Sequence, residues 1–405
     1  MADTTDRSPL RRTACFTCTK AKRRCTKEEP GCRRCLARGL LCRYPPLKMM
    51  IELPVDLEAA FMGVPSTCSN SDGGGLNDRA TGALPWPEEQ RPLSLNFDYS
   101  SVALPPQHAW FLSPEHWQID HRPSLHEQPS FRDEALRFFT QQLLAWLKQW
   151  VTEGHSPFIH SQLYQQDSPS HIQLAFTTCA AYFSKTEATT SFVMRILEEQ
   201  SATLVEQSNA LDPTILSTGQ HVSRTQALLI YQIIRLFDGD IRSRAQAEDR
   251  LDVLLSWATQ MWESARLSAA ASLSSDPLGS QPNAFKLDGS TSALWRAWYL
   301  AESVRRTYVL SAFLQGVYLT MKQGWSYCPG GVAFSMGTGL WNATSASTWI
   351  AEHRDKHGPQ LMESKEPETA FINARPADVD EFAKCILTVS RGLESVEEWI
   401  AQKGP

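Results

Sequence analysis

Residues 14–45 read ACFTCTKAKRRCTKEEPGCRRCLARGLLCRYP. Six of the chain's ten cysteines fall between Cys15 and Cys42, and they form a tandem repeat. Cys15, Cys18 and Cys25 recur 17 residues later as Cys32, Cys35 and Cys42. Each half is therefore C-x2-C-x6-C, and Pro30-Gly31 turns the chain between them. A segment this short cannot build a hydrophobic core, so cross-links must supply its folding free energy. The first residues, MADTTDRSPLRRTA, are charged and contain no apolar signal-peptide core. A reducing compartment, cytosol or nucleus, is expected, and clustered cysteines there favour metal over disulfide.

Four cysteines close one tetrahedral zinc site, and six serve two such sites only when two thiolates bridge. The repeat implies that each half hands one sulfur to the other. Six thiolates and two Zn²⁺ carry a formal charge of −2. The nine Lys/Arg between Cys15 and Arg43 offset it and lower the thiol pKa values. A three-disulfide knot would need an oxidising compartment. A zinc module that contacts only proteins is the other alternative, and the cations weigh against it. TKAKRR, between Cys18 and Cys25, has four cations in six residues, whereas LARGLL, between Cys35 and Cys42, has one. The first half thus presents a positive short helix to a polyanion, and the second offers Leu36, Leu40 and Leu41 for packing.

The segment resembles the fungal-type binuclear zinc cluster, the six-cysteine DNA-binding module of many fungal transcription factors. The spacing C-x2-C-x6-C-x6-C-x2-C-x6-C, the basic run after Cys18, and Pro30 two residues before Cys32 carry the likeness. The resemblance implies that Cys15 and Cys32 bridge. One zinc would then take Cys15, Cys18, Cys25 and Cys32, and the other Cys32, Cys35, Cys42 and Cys15. It also implies that the end of the first short helix enters the major groove at a CGG-like triplet, with Lys22 placed to reach guanine O6 and N7. Ala21 stands where many members have a second cation, and Thr19 replaces a common arginine. Lys20, Arg23, Arg24 and Arg33 are expected on phosphates.

Outward from the cluster, the chain changes character. Its net charge is −5, but residues 1–50 hold 13 Lys/Arg against 4 Asp/Glu, and the remainder 26 against 40. Only the head is built to approach a polyanion. Residues 43–129 hold 12 of the 24 prolines, with SNSDGGG at 69–75, and show no sustained heptad pattern. From about residue 130 the pattern turns helical. In SFRDEALRFFTQQLLAWLKQWV, Ser130 and Asp133 resemble a capping box, and Leu136, Phe139, Leu143, Leu147 and Trp150 share one face. Further helices are expected over 168–184, 190–208, 223–237, 243–272, 292–322 and 377–401. The glycine-rich stretch 326–342 reads as a loop or hairpin.

The expected organisation is a disordered basic arm (1–14), a two-zinc DNA-binding module (15–45), a Pro-rich and largely disordered linker (46–129) and an all-α regulatory domain (130–405). No run approaches the roughly 18 apolar residues of a membrane span. No Walker loop, G-x-S-x-G or dinucleotide fingerprint appears, so the expectation is no enzyme. His353 and His357 lie i, i+4, but Arg354 replaces the glutamate that a zinc peptidase would need. The paired tryptophans Trp146/Trp150, Trp257/Trp262 and Trp295/Trp298 read as core. PFIHSQLY and WRAWYLAESVRRTYVLSAFLQGVY resemble the helical regions of short zinc-cluster factors that sit beside secondary-metabolite genes. The resulting expectation is a nuclear, sequence-specific factor of RNA polymerase II genes. Its partners would be double-stranded DNA, the transcription machinery and a second copy bound through the helical domain, with no membrane.

Overall fold

The computed structural model describes residues 16–26, 32–40, 42, 106–121, 133–273, 285, 287, 290–326, 330–355 and 360–404. The chain divides into two units, Met1–Leu93 and Ser94–Pro405. The basic arm at 1–14 and most of the linker lie outside the described residues.

In the first unit the 17-residue repeat is written into the backbone. Helix α1 (Phe16–Lys20) and helix α2 (Arg33–Ala37) begin and end 17 residues apart. Each is closed by a residue in the left-handed region, Lys22 at φ 50° and Gly39 at φ 59°. Each closure is followed by the same backbone bond, Arg23 N to Cys18 O at 3.0 Å and Leu40 N to Cys35 O at 2.9 Å. These bonds reach back five residues, which is the helix-ending geometry that a left-handed residue makes possible. The buried residues here are cysteines: Cys18, Cys32 and Cys35 are at 0% exposure. The expectation that the leucines of the second half pack is not met for Leu36 and Leu40, which are 60% and 41% exposed; Leu41 lies outside the described residues. Among the described residues the module buries only cysteines, and there is no apolar core for these two leucines to enter.

The second unit is helical. Its helices are α3 (Asp133–Glu153), α4 (Ser170–Phe183), α5 (Thr190–Asn209), α6 (Thr218–Phe237), α7 (Ile241–Glu248), α8 (Leu251–Leu273) and α9 (Thr291–Gln323). After these come α10 (Ala346–Asp355), α11 (Glu368–Asn373), α12 (Glu381–Arg391) and α13 (Leu393–Lys403). The apolar face read on α3 is buried throughout, from Leu136 to Trp150. Helix α6 is central and packs on α4, α5, α8 and α9. It starts five residues earlier than the apolar pattern suggested, because Ser217 and Gln220 form a reciprocal capping box. The 33 residues of α9 span about 50 Å.

Three segments depart from the sequence reading. The helix expected over 243–272 is two helices, because Gln232 of α6 donates to the Ala247 carbonyl at 2.8 Å and holds the end of α7. The helix expected over 377–401 breaks at Gly392, whose φ of 90° removes it from the helical region. Among the described residues of 326–342, no two segments of the stretch pair as a hairpin. Its strand β1 (Ala333–Ser335) pairs antiparallel with the distant β2 (Leu361–Glu363), with Phe334 opposite Met362.

The largest correction concerns residues 106–121, which their prolines placed in the linker. They form two 3₁₀ turns, Pro106–Leu112 and Pro114–Trp117, and lie in the core of the helical unit. Phe111, Leu112 and Trp117 are at most 2% exposed. Trp262 Nε1 donates to Trp117 O at 3.1 Å, and Trp117 Nε1 to Phe111 O at 3.0 Å. Arg305 of α9 donates to Phe111 O at 2.7 Å, with its guanidinium 4.4 Å from the Trp117 ring. Aromatic burial and backbone satisfaction outweigh the proline content, so the helical unit begins well before residue 130.

Candidate metal centre and nucleic-acid interface

Five of the six clustered cysteines are described; Cys15 lies outside the described residues. Their sulfurs fall into two groups, Cys18–Cys25–Cys32 and Cys32–Cys35–Cys42, each with all sulfurs within 4.8 Å of one another. Cys32 belongs to both. Cys18 Sγ and Cys32 Sγ are 3.6 Å apart. The backbone N–H of Cys32 donates to Cys42 Sγ at 3.2 Å. A bare sulfur set at this spacing suits a soft, tetrahedral cation, and thiolate sulfur is the donor that zinc takes in closed structural sites. The residues present therefore fit zinc.

The expected DNA-contacting residues share one region. Lys20 ends α1, and Lys22, Arg23 and Arg24 follow it immediately; all four are exposed. Arg33 is also exposed and opens α2, where its N–H donates to Thr26 Oγ1 at 3.0 Å. Lys22 is the one residue other than glycine with positive φ among the described residues. The repeat places it where the second half has Gly39. Arg34, which the reading of the basic run passed over, donates from Nη1 to Cys18 Sγ at 3.7 Å. That bond and the surrounding thiols raise its pKa further above the ordinary arginine value. Its signal in the sequence was its place between two ligand cysteines.

The helical unit carries its own polar features. Glu302, Arg305 and Arg306, on successive turns of α9, are at most 1% exposed. Arg306 donates to Glu302 Oε1 at 3.2 Å, Pro157 O at 2.9 Å and Ser335 O at 3.0 Å, and it pairs with Asp380. Its guanidinium lies 4.1 Å from the Trp341 ring. Burial raises the Asp380 carboxyl above the usual range, against the pull of Arg306. A cleft of about 200 Å³ opens beside Arg306, lined among others by Gln149, His155, Trp341, Asn342 and Phe382. Trp341 donates Nε1 to the carbonyl of Ser156, another residue of the lining, at 3.0 Å. His353 is buried and stacks on Trp349 at 5.9 Å; His357 lies outside the described residues. The paired tryptophans are all buried. No helix among the described residues is long and apolar enough to cross a membrane.

A family model described as the fungal Zn(2)-Cys(6) binuclear cluster domain matches residues 13–49. The transcription factor gsfR2 of Penicillium aethiopicum is 30% identical over 409 residues, covering 97% of this chain and 95% of that one. The aflatoxin biosynthesis regulatory protein of Aspergillus parasiticus is 48% identical over 50 residues, 12% of this chain and 11% of its own. The cercosporin biosynthesis regulatory protein CTB8 of Cercospora beticola is 50% identical over 42 residues, 10% of this chain and 11% of its own. No solved structure matches the chain. The short matches cover about a tenth of the chain, while the likeness to gsfR2 runs over nearly all of it. The chain belongs to the fungal Zn(2)-Cys(6) binuclear-cluster transcription factors.

Proposed function

We propose that the chain regulates RNA polymerase II genes of a fungal secondary-metabolite pathway, acting in the nucleus and reading CGG-like triplets through a two-zinc head. The observation that supports this most is the pairing of two thiol groups that share Cys32 with exposed cations at the end of α1. One zinc takes Cys15, Cys18, Cys25 and Cys32; the other takes Cys32, Cys35, Cys42 and Cys15. The metal supplies the cross-links, and the chain's own residues do the reading. Lys22 reaches base edges, whereas Lys20, Arg23, Arg24 and Arg33 contact phosphates. The names of the biosynthetic regulators that match the head support the pathway assignment.

The linker in this reading runs from residue 46 to about residue 93, where the helical unit begins. The head has no heptad pattern beside it, so a homodimer would form through the helical unit and pair two triplets. The transcription machinery would be engaged by the same unit. Selection of bound sites from a random DNA pool with the full chain tests the reading. Enrichment of a CGG-like triplet, abolished by a zinc chelator, is expected. Enrichment of no motif, or of one that survives chelation, would refute it.

A further inference from the structure

Sulfur is not the only link between the two halves of the cluster. Arg34 lies in α2, between Cys32 and Cys35, and its Nη1 crosses to Cys18 Sγ in α1 at 3.7 Å. The same sulfur lies 3.6 Å from Cys32 Sγ. Cys18 is thus approached from the second half twice, once by a sulfur and once by a cation. Seventeen residues before Arg34 the repeat has Thr17, which bears no charge. Among the described cations of the segment Arg34 is set apart, because Lys20, Lys22, Arg23, Arg24, Arg33 and Arg38 are exposed while Arg34 is half-buried against the cluster.

We propose that Arg34 is a positioning residue of the metal centre: its guanidinium hydrogen-bonds the Cys18 thiolate and ties α2 to α1. The proposal rests on the reading of the cysteines as zinc ligands. A charge-assisted bond to a ligating sulfur stabilises the thiolate and fixes its direction. The helix held in this way is the one that ends at Lys20 and leads into Lys22. Arg34 therefore acts on DNA through the cluster rather than by touching phosphate.

The test uses the full chain loaded with zinc and follows zinc transfer to a chromophoric chelator, with cobalt-loaded samples for the thiolate-to-metal charge-transfer band. Groups that orient metal ligands typically contribute about 10–100-fold to metal affinity. Arg34→Gln should therefore lose zinc at least about 10-fold faster and shift the cobalt band. Arg38→Gln removes the same charge from an exposed position and should match the wild type. Arg34→Lys, which keeps a cation and a donor, should recover most of the loss. Equal acceleration in Arg34→Gln and Arg38→Gln would overturn the proposal in favour of net charge alone. Unchanged zinc release in Arg34→Gln with weakened DNA binding would overturn it in favour of a phosphate contact. If Arg34→Gln takes up no zinc, Arg34→Lys decides: uptake supports the proposal, and failure of the lysine variant as well overturns it. A wild-type chain that takes up no zinc would instead refute the zinc reading itself.

Discussion

Lys22 holds a backbone conformation that its counterpart in the repeat, Gly39, adopts without a side chain. A residue with a Cβ in the left-handed region costs about 1 kcal/mol relative to glycine. Its retention at the end of α1 is what a functional side chain would explain. Lys22→Gly should leave the zinc-loaded head as stable or up to about 1 kcal/mol more stable, yet abolish discrimination at one base, worth roughly 1–3 kcal/mol. Arg24→Ala should weaken all sequences alike and reduce the salt slope by about one. Competition binding across ranked sites separates the two, and an unchanged ranking in Lys22→Gly would count against the assignment. In the helical unit, His221 is buried with Nε2 against Pro213 O at 3.1 Å and Nδ1 against Arg224 Nη2 at 2.9 Å. The arginine donates, so Nδ1 accepts and the ring is neutral. Burial, then Arg224, lowers its pKa to about 4 from 6.5. The unfolded chain binds the extra proton between those values. The stabilisation is therefore complete above pH 6.5 and lost as pH falls toward about 4, at up to about 1.4 kcal/mol per pH unit. His160, lowered to about 3 mainly by burial, adds with the same sign. Twelve of the thirteen tryptophans lie beyond residue 93, so denaturation followed by tryptophan fluorescence at pH 7, 6 and 5 reports mainly on the helical unit. A midpoint that does not fall over that range would contradict this assignment.

At the scale of elements, α9 is the beam to which other segments attach. Glu302 accepts from Ser335 N at 2.8 Å and from Ser335 Oγ at 3.0 Å, which ties β1 to the helix. Arg306 reaches the loop at Pro157 and Asp380, which caps α12 by accepting from Ala383 N at 2.9 Å. Removing one member of a buried charge network leaves the others uncompensated. Arg306→Met should therefore cost about 3–5 kcal/mol in chemical denaturation, and a loss below about 1 kcal/mol would show that the network is not structural. None of this was legible beforehand, because an arginine on a long helix reads as a solvated face. The face of α3 was legible, since its apolar residues recur at helical spacing. The break at Gly392 had a visible cause in the glycine itself, whereas the break before α8 depends on Gln232, a side chain from another helix. The docked segment at 106–121 was hidden by its prolines, although Trp110, Phe111 and Trp117 were its signal.

For the whole molecule, a boundary near residue 94 rather than 130 has a direct consequence. A fragment starting at residue 94 should unfold cooperatively. One starting at 130 should lose about 3 kcal/mol or more, because the space filled by Trp117 empties and Arg305 loses its carbonyl and ring partners. Equal denaturation midpoints for the two fragments would restore the later boundary. The grouping of the described cysteines, by contrast, was readable from the sequence, because metal-ligand sets depend on residue type and spacing rather than on distant packing. What the spacing did not reveal was the bond from Arg34 to Cys18 Sγ, which needed the fold to bring α2 against Cys18. The central claim is that six thiols hold two metal ions by sharing sulfurs, with Cys32 in both groups. Native mass spectrometry of the zinc-loaded chain, combined with alkylation of accessible thiols, tests it most directly. The account predicts two zinc ions per chain and protection of all six cysteines from Cys15 to Cys42. One tightly bound zinc, with two of those six freely alkylated, would contradict it.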